Sequence, residues 1–263
     1  MAVFSPESSL VAEVIPSPNH GERKNGVQPS LILLHYTGMP DAQAALAQLC
    51  SKASEVSSHY FVFENGHIVQ LVHEDRRAWH AGVGAWGGET DLNSCSIGIE
   101  IANPGHEHGY PDYPKRQIAA VTALCRGIVA RRKILPHRVL AHSDIAPQRK
   151  QDPGEKFPWK VLHDSGLGLW VPPEPIVEGP FFSLGDRAIA IEEMQMHLHE
   201  IGYLLEPTAR YDGETMAVVA AFQRHFRPER VDGIADASTR MTIAALLKAW
   251  RAVRDAPPPE PAA

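Results

Sequence analysis

Three cysteines in 263 residues, Cys50, Cys95 and Cys125, are odd in number and include no C-x-x-C pair. That argues against both a disulfide framework and a thiolate metal site. Cys50 and Cys125 fall instead within apolar helical patterns, as small core fillers. No apolar run approaches the roughly 20 residues that span a bilayer, so no transmembrane segment is expected. Residues 1–30 lack a basic stretch followed by an apolar one, the pattern that directs export. A formal charge of −6 removes any general electrostatic reason to expect nucleic acid or an anionic membrane as partner. What is present, 44% hydrophobic and 21% charged residues, suffices for one large domain and a small one.

Proline marks the division. Val171 to Pro180 reads V-P-P-E-P-I-V-E-G-P, which disfavours helix and stiffens the chain. The expected organisation is a larger domain over 1–170, a linker over 171–182, a three-helix domain over 183–252 and a disordered Pro-rich tail over 253–263. Before the linker, Leu31–Tyr36 reads as a buried strand and Asp41–Ser51 as a helix capped by Asp41. Tyr60–Glu64 and Ile68–Val72 form a hairpin turned by Asn65-Gly66. Ser96–Ile101 alternates, placing its isoleucines on one face and Ser96, Gly98 and Glu100 on the other. Pro114 opens a helix to about Lys133, and Val139–His142 is a last short strand. After the linker, Ala188–Ile201, Glu214–Phe226 and Ala237–Trp250 show helical spacing. Asp212-Gly213 and Asp232-Gly233, each followed by a threonine and an apolar helix, suggest a degenerate internal repeat. The fold class is α/β (α+β), a mixed central sheet flanked by helices and followed by a small three-helix domain.

His35 closes the apolar run Leu31-Ile32-Leu33-Leu34. Alone, it reads as a satisfied core histidine. His142 and Asp152, on a strand end and a Pro/Gly-rich loop, change that reading. Two imidazoles and one carboxylate make a plausible open zinc site with a fourth position left for water. The spacing itself is weak, because no H-E-x-x-H fixes the ligands on one helix. Glu100 is either a surface glutamate or a general base, and the small neighbour Gly98 leaves room for substrate. Lys150, by itself, is an exposed loop lysine. Tyr36 and Trp79 are wall candidates for a sugar or peptide, although aromatic residues beside strands more often pack. His106 and His108 read as a solvated glycine-rich loop, and His197 and His199 face different directions on a helix.

Five blocks then carry a resemblance. His35-Tyr36-Thr37, Ser58-His59-Tyr60, Trp79-His80-Ala81-Gly82, Ser96-Ile97-Gly98-Ile99-Glu100 and the segment from His142 to Gly154 resemble, in order, the type 2 N-acetylmuramoyl-L-alanine amidases. The resemblance implies a zinc amidase that cuts the bond between the lactyl group of N-acetylmuramic acid and L-alanine. It implies zinc (Zn2+) ligands at His35, His142 and Asp152, a catalytic Glu100, and Lys150 as the oxyanion's counter-charge. It places Tyr36, His59, Trp79 and His80 as substrate-binding candidates. The alternatives are a non-catalytic peptidoglycan-binding or sensing protein, against which the intact ligand set weighs, and a zinc peptidase acting between stem residues.

Gly185-Asp186, Met194-Gln195, Gly202-Tyr203, Ala221-Phe222-Gln223 and Asp232-Gly233 with Thr239 resemble the type 1 peptidoglycan-binding domain, over about residues 181 to 250. Glycan binding and structural packing both stay open for this unit, and so does the oligomeric state. The implied partners are peptidoglycan or muropeptide fragments. If Met1 is the native start, the missing export pattern favours the cytoplasm and recycling of fragments, whereas a wall-binding unit favours the periplasm or envelope; the expectation leans to the cytoplasm.

Overall fold

A computed structural model describes residues 4–256 of the chain. Its strands are β1 (Glu13–Val14), β2 (His20–Glu22), β3 (Leu31–Tyr36), β4 (Tyr60–Val62), β5 (Ile68–Gln70), β6 (Arg76–Ala78), β7 (Ser96–Ile101) and β8 (Val139–Ala141). Its helices are α1 (Ala42–Leu49), α2 (Leu92–Cys95), α3 (Lys115–Arg132), α4 (His142–Ile145), α5 (Trp159–Asp164), α6 (Ile189–Ile201), α7 (Gly213–Phe226) and α8 (Ala237–Arg254). Six strands form one mixed sheet in the order β1-β5-β4-β7-β3-β8, and β2 pairs with β6 apart from it. The central strands β4, β7, β3 and β8 run parallel, and β5 turns back antiparallel on β4. No helix among the described residues is long and apolar enough to cross a membrane.

Side-chain parity sets the layers. In the β3–β7 register Leu31 opposes Ser96, Leu33 opposes Gly98 and His35 opposes Glu100, so these six residues share one face. The other face, with Ile32, Leu34, Ile97, Ile99 and Ile101, packs on the Ile118, Val121, Leu124 and Ile128 stripe of α3. Leu31 and Leu33 belong to a second apolar cluster that continues into α6–α8 through Leu198, Tyr203, Phe222 and Leu246. Each such side chain contributes about 1.5–3 kcal/mol by full burial. The short helices α2 and α4 cover the sheet on this side, and the three-helix unit packs on α4 through α7. Beyond Leu33 that layer stops, and His35 and Glu100 emerge at the carboxyl ends of parallel strands, where open α/β sheets bind ligands.

Local chemistry explains the boundaries. Asp41 caps α1 by accepting from the backbone of Gln43 and Ala44 at 2.7 and 3.0 Å, leaving the helix to end at Leu49. Gly66, at φ 84°, turns the β4–β5 hairpin. His142, expected to end a strand, instead opens α4.

The internal repeat has a physical form that differs from the one expected. The equivalent caps are Asp212 and Asp236, which accept from Thr215 and Thr239 backbone N–H groups at 2.9 and 2.7 Å. The buried amides of Gln195 in α6 and Gln223 in α7 then brace the loop that follows each helix and the capping threonine beyond it. The Pro-rich linker lies against α8: Glu174 N–H donates to Thr242 Oγ1 at 3.0 Å, and Ser238 Oγ donates to the Glu174 carbonyl at 2.6 Å. The expected tail begins within α8, which continues through Arg254. The rest of that expectation, over 257–263, lies outside the described residues.

Candidate metal centre and active site

At the end of β3, the start of α4 and the loop after it, three ligand atoms converge. His35 Nδ1 lies 2.9 Å from His142 Nδ1 and 3.0 Å from Asp152 Oδ2, and His142 Nδ1 lies 2.9 Å from the same oxygen. All three residues are buried. Their hydrogen-bond partners assign the tautomers. His142 Nε2 donates to the Ala81 carbonyl at 2.9 Å, which leaves its Nδ1 a lone pair. Ser96 Oγ gives its proton to the Leu92 carbonyl, so it accepts from His80 Nε2 at 3.3 Å. His80 Nδ1 then accepts from His35 Nε2 at 3.0 Å, and His35 also turns a lone pair inward. Two imidazole lone pairs and a carboxylate oxygen facing one another have no proton to share. This donor set fits a zinc ion, with the outer hydrogen bonds that orient ligating histidines already in place.

Electrostatics agrees. Burial, aided by His142, lowers the His35 imidazole to about 4, so it is neutral, as ligation needs. Burial opposes ionisation of Asp152, but positive charge and protons on the facing His142 and His35 nitrogens hold its carboxyl well below the usual carboxylate range, and a metal cation in place of those protons would favour the carboxylate in the same way. Glu100 moves the other way. Its burial, and then the Asp152 carboxylate, raise it well above the ordinary glutamate value. Glu100 Oε2 is buried with no hydrogen-bond partner among the described residues. An unmet acceptor beside a metal site is suited to a proton-carrying ligand.

These groups line a cleft of about 400 Å³ that includes Tyr36, Trp79, His80, Glu100 and Lys150. The structure thus brings the three metal ligands, Glu100 and Lys150 to one place. It separates His59 from them. That ring, expected among the substrate-binding residues, is 0% exposed; its Nδ1 accepts from Gly98 N–H at 3.0 Å and its Nε2 donates to the Arg76 carbonyl at 3.0 Å. Gly98 also has a different reason from the one expected. A Cβ there would meet the His80 ring at 2.4 Å, so the missing side chain makes room for His80 rather than substrate.

His106 lines the same cleft, contrary to its reading as a solvated loop residue. Its Nδ1 accepts from Tyr36 Oη at 3.0 Å, its Nε2 donates to Glu155 at 3.0 Å, and its ring stacks on Tyr110 with centroids 4.2 Å apart. A sequence signal existed in the pair Gly105 and Tyr110. Gly105, at φ 72°, leaves space that the Tyr36 ring fills, since a Cβ there would approach it to 2.7 Å.

Comparison with known proteins follows the same division. Residues 25–155 match the family model for N-acetylmuramoyl-L-alanine amidase, and residues 187–243 match a peptidoglycan binding domain. The chain is 40% identical over 238 residues to the N-acetylmuramoyl-L-alanine amidase AmiD of Escherichia coli K12, covering 84% of this chain and 83% of that one. The solved complex of E. coli AmiD with anhydro-N-acetylmuramic acid-L-Ala-D-gamma-Glu-L-Lys superposes with a TM-score of 0.70 at 35% identity, covering 88% of this chain and 97% of that one. AmpDh3 of Pseudomonas aeruginosa superposes with a TM-score of 0.70 at 31% identity, covering 94% and 98%. The converging His35, His142 and Asp152 side chains and these matches across both units place the chain in the N-acetylmuramoyl-L-alanine amidase family.

Proposed function

We infer that the protein is a zinc-dependent hydrolase of the amide joining N-acetylmuramic acid, or its anhydro form, to L-alanine of peptidoglycan stem peptides. The observation that carries this reading is the convergence of His35 Nδ1, His142 Nδ1 and Asp152 Oδ2 within 3.0 Å of one another, in a chain that matches the amidase family. A zinc ion held by these three residues would supply Lewis-acid polarisation and lower the pKa of water.

The chain's own groups supply the rest. Glu100, next to His35 in the sheet register, takes a proton from the attacking water at its unpartnered Oε2 and delivers it to the departing alanine nitrogen. Its raised affinity for protons suits the second half of that task. Lys150 stands in the same cleft and offsets the negative charge that develops on the amide oxygen. Tyr36, held by His106, and Trp79 form walls for the sugar or the peptide. His80 is a positioning residue, since its Nδ1 fixes the ring of His35.

Product analysis tests the reading. Incubation with a muramyl tripeptide should release a peptide with a free N-terminal alanine. Alanine retained on muramic acid in the products would indicate a peptidase, and binding without products would indicate a sensor.

A further inference from the structure

A second groove, of about 330 Å³, lies on the other side of the 149–151 segment and runs onto α7. Arg149, Lys150 and Gln151 belong to both, so this segment is a shared ridge between the catalytic cleft and the three-helix unit. Arg224 of α7 lines the second groove. Its Nε is buried with no hydrogen-bond partner, and among the described residues its guanidinium enters no ion pair. A half-buried arginine without a partner costs stability, because guanidinium groups are normally satisfied when removed from water.

The neighbouring charges are already committed. Arg149 turns away, donating to the Ala81 carbonyl at 2.8 Å and to the Val83 carbonyl. Asp232, the acid in the groove, is held by Gln223 at 3.1 Å and Arg230 at 3.3 Å. Glu155 is engaged by His106. Glu155, Tyr36 and Tyr110 each act on the charge of Arg224, and only the 149–151 ridge parts its groove from the catalytic cleft.

We propose that Arg224, contributed by the C-terminal unit, is a subsite for a carboxylate of the stem peptide that crosses the 149–151 ridge. Planar guanidinium groups pair with carboxylates in two parallel hydrogen bonds, and the groove supplies the partial desolvation that strengthens them. A peptide of the composition found in the AmiD complex offers two such groups, the free α-carboxylate of γ-linked D-glutamate and the C-terminal carboxylate. In this arrangement the three-helix unit reads the peptide, in addition to any contact it makes with glycan. The proposal rests on the amidase reading.

The test uses the full-length zinc-loaded protein and three substrates: N-acetylmuramyl-L-Ala-γ-D-Glu-L-Lys, the same compound amidated at the D-Glu α-carboxylate, and the same compound amidated at the C-terminus. Arg224→Ala is expected to raise KM on the unmodified substrate about tenfold or more, with kcat kept. One of the two amidated substrates should show no such penalty, and it identifies the carboxylate bound. Arg224→Lys, which keeps the charge without the planar pair, should fall between. An equal change on all three substrates, or no change on any, overturns the subsite. Failure of the unmutated protein to release alanyl peptide from any of the three overturns the amidase reading instead. Thermal melting of both variants separates a loss of fold from a loss of recognition.

Discussion

His35 and Glu100 are register partners in adjacent parallel strands, on the same face of the sheet. The strand pairing that builds the core therefore also sets the distance between a metal ligand and the candidate base. Glu100→Gln keeps the shape of the side chain and removes its ability to accept a proton. Turnover of a muramyl peptide is expected to fall about 10²–10⁴-fold, with bound zinc unchanged by metal analysis. A variant with full kcat would remove Glu100 from the chemistry.

Gly98 and His80 test the support behind the metal. In Gly98→Ala, a Cβ would sit 2.4 Å from the His80 ring, displacing it and with it the hydrogen bond to His35. Overpacking of this kind costs about 1–3 kcal/mol. His80→Ala should weaken zinc affinity about 10–100-fold, as removal of an outer partner of a ligating histidine does. Competition with a fluorescent chelator measures both variants. Unchanged affinity in both would mean that the His80 contact does not orient His35.

The two units are joined through buried polar groups as well as apolar ones. His225 Nδ1 donates to Asp144 Oδ2 at 2.7 Å, and Tyr203 Oη donates to Asp144 Oδ1 at 2.9 Å. Asp144 lies in α4, two residues from His142. Replacing His225 by alanine removes one of these donors and opens a space against Trp159, on which its ring stacks at 3.8 Å. A loss of about 1–3 kcal/mol is expected, read as a lower urea midpoint. A chain truncated at residue 170 should lose near-ultraviolet dichroism and bind an apolar dye, because the apolar surface that Trp86, Ile145 and Ala146 present to the three-helix unit would lie uncovered. A well-packed truncated domain would contradict the layer described here.

Acid stability has a specific source in Glu74, which is 0% exposed. Burial pushes its carboxyl up, but hydrogen bonds from Arg131, Arg132 and Tyr60 outweigh it and hold the group below the usual range. A depressed carboxyl stabilises the fold at neutral pH, and that contribution fades as pH drops below about 4.3 through the folded-state value. Glu74→Gln should cost about 3 kcal/mol or more at pH 7, where it breaks a buried ion pair. Denaturation curves of the two proteins should converge as the pH is lowered below about 4.3. A gap independent of pH would assign the cost to packing.

Much of this architecture was legible because it follows short-range rules. The alternation in Ser96–Ile101 announced the two-faced strand, Asp41 announced α1, and the apolar run into His35 announced a strand ending at a site. The metal ligands were legible through the family blocks, since nothing in their spacing fixes three side chains on one ion. What escaped depends on tertiary approach. His106 reaches Glu155, 49 positions away, only because the loop folds over Tyr36. The sequence block places His59 with the substrate, yet its ring is buried behind His80, where it holds the Gly98 backbone N–H. Gly98 reads in sequence as space for substrate, and its occupant, His80, comes from the loop after β6.

The central claim is that His35, His142 and Asp152 hold one zinc ion on which amide cleavage depends. Metal analysis of the purified protein, paired with alanyl-peptide release before chelation, after chelation and after zinc is restored, tests it most directly. The expected result is one zinc per chain, turnover abolished by the chelator and recovered with zinc, and no recovery in His142→Ala. Full turnover in protein shown to be metal-free would contradict it.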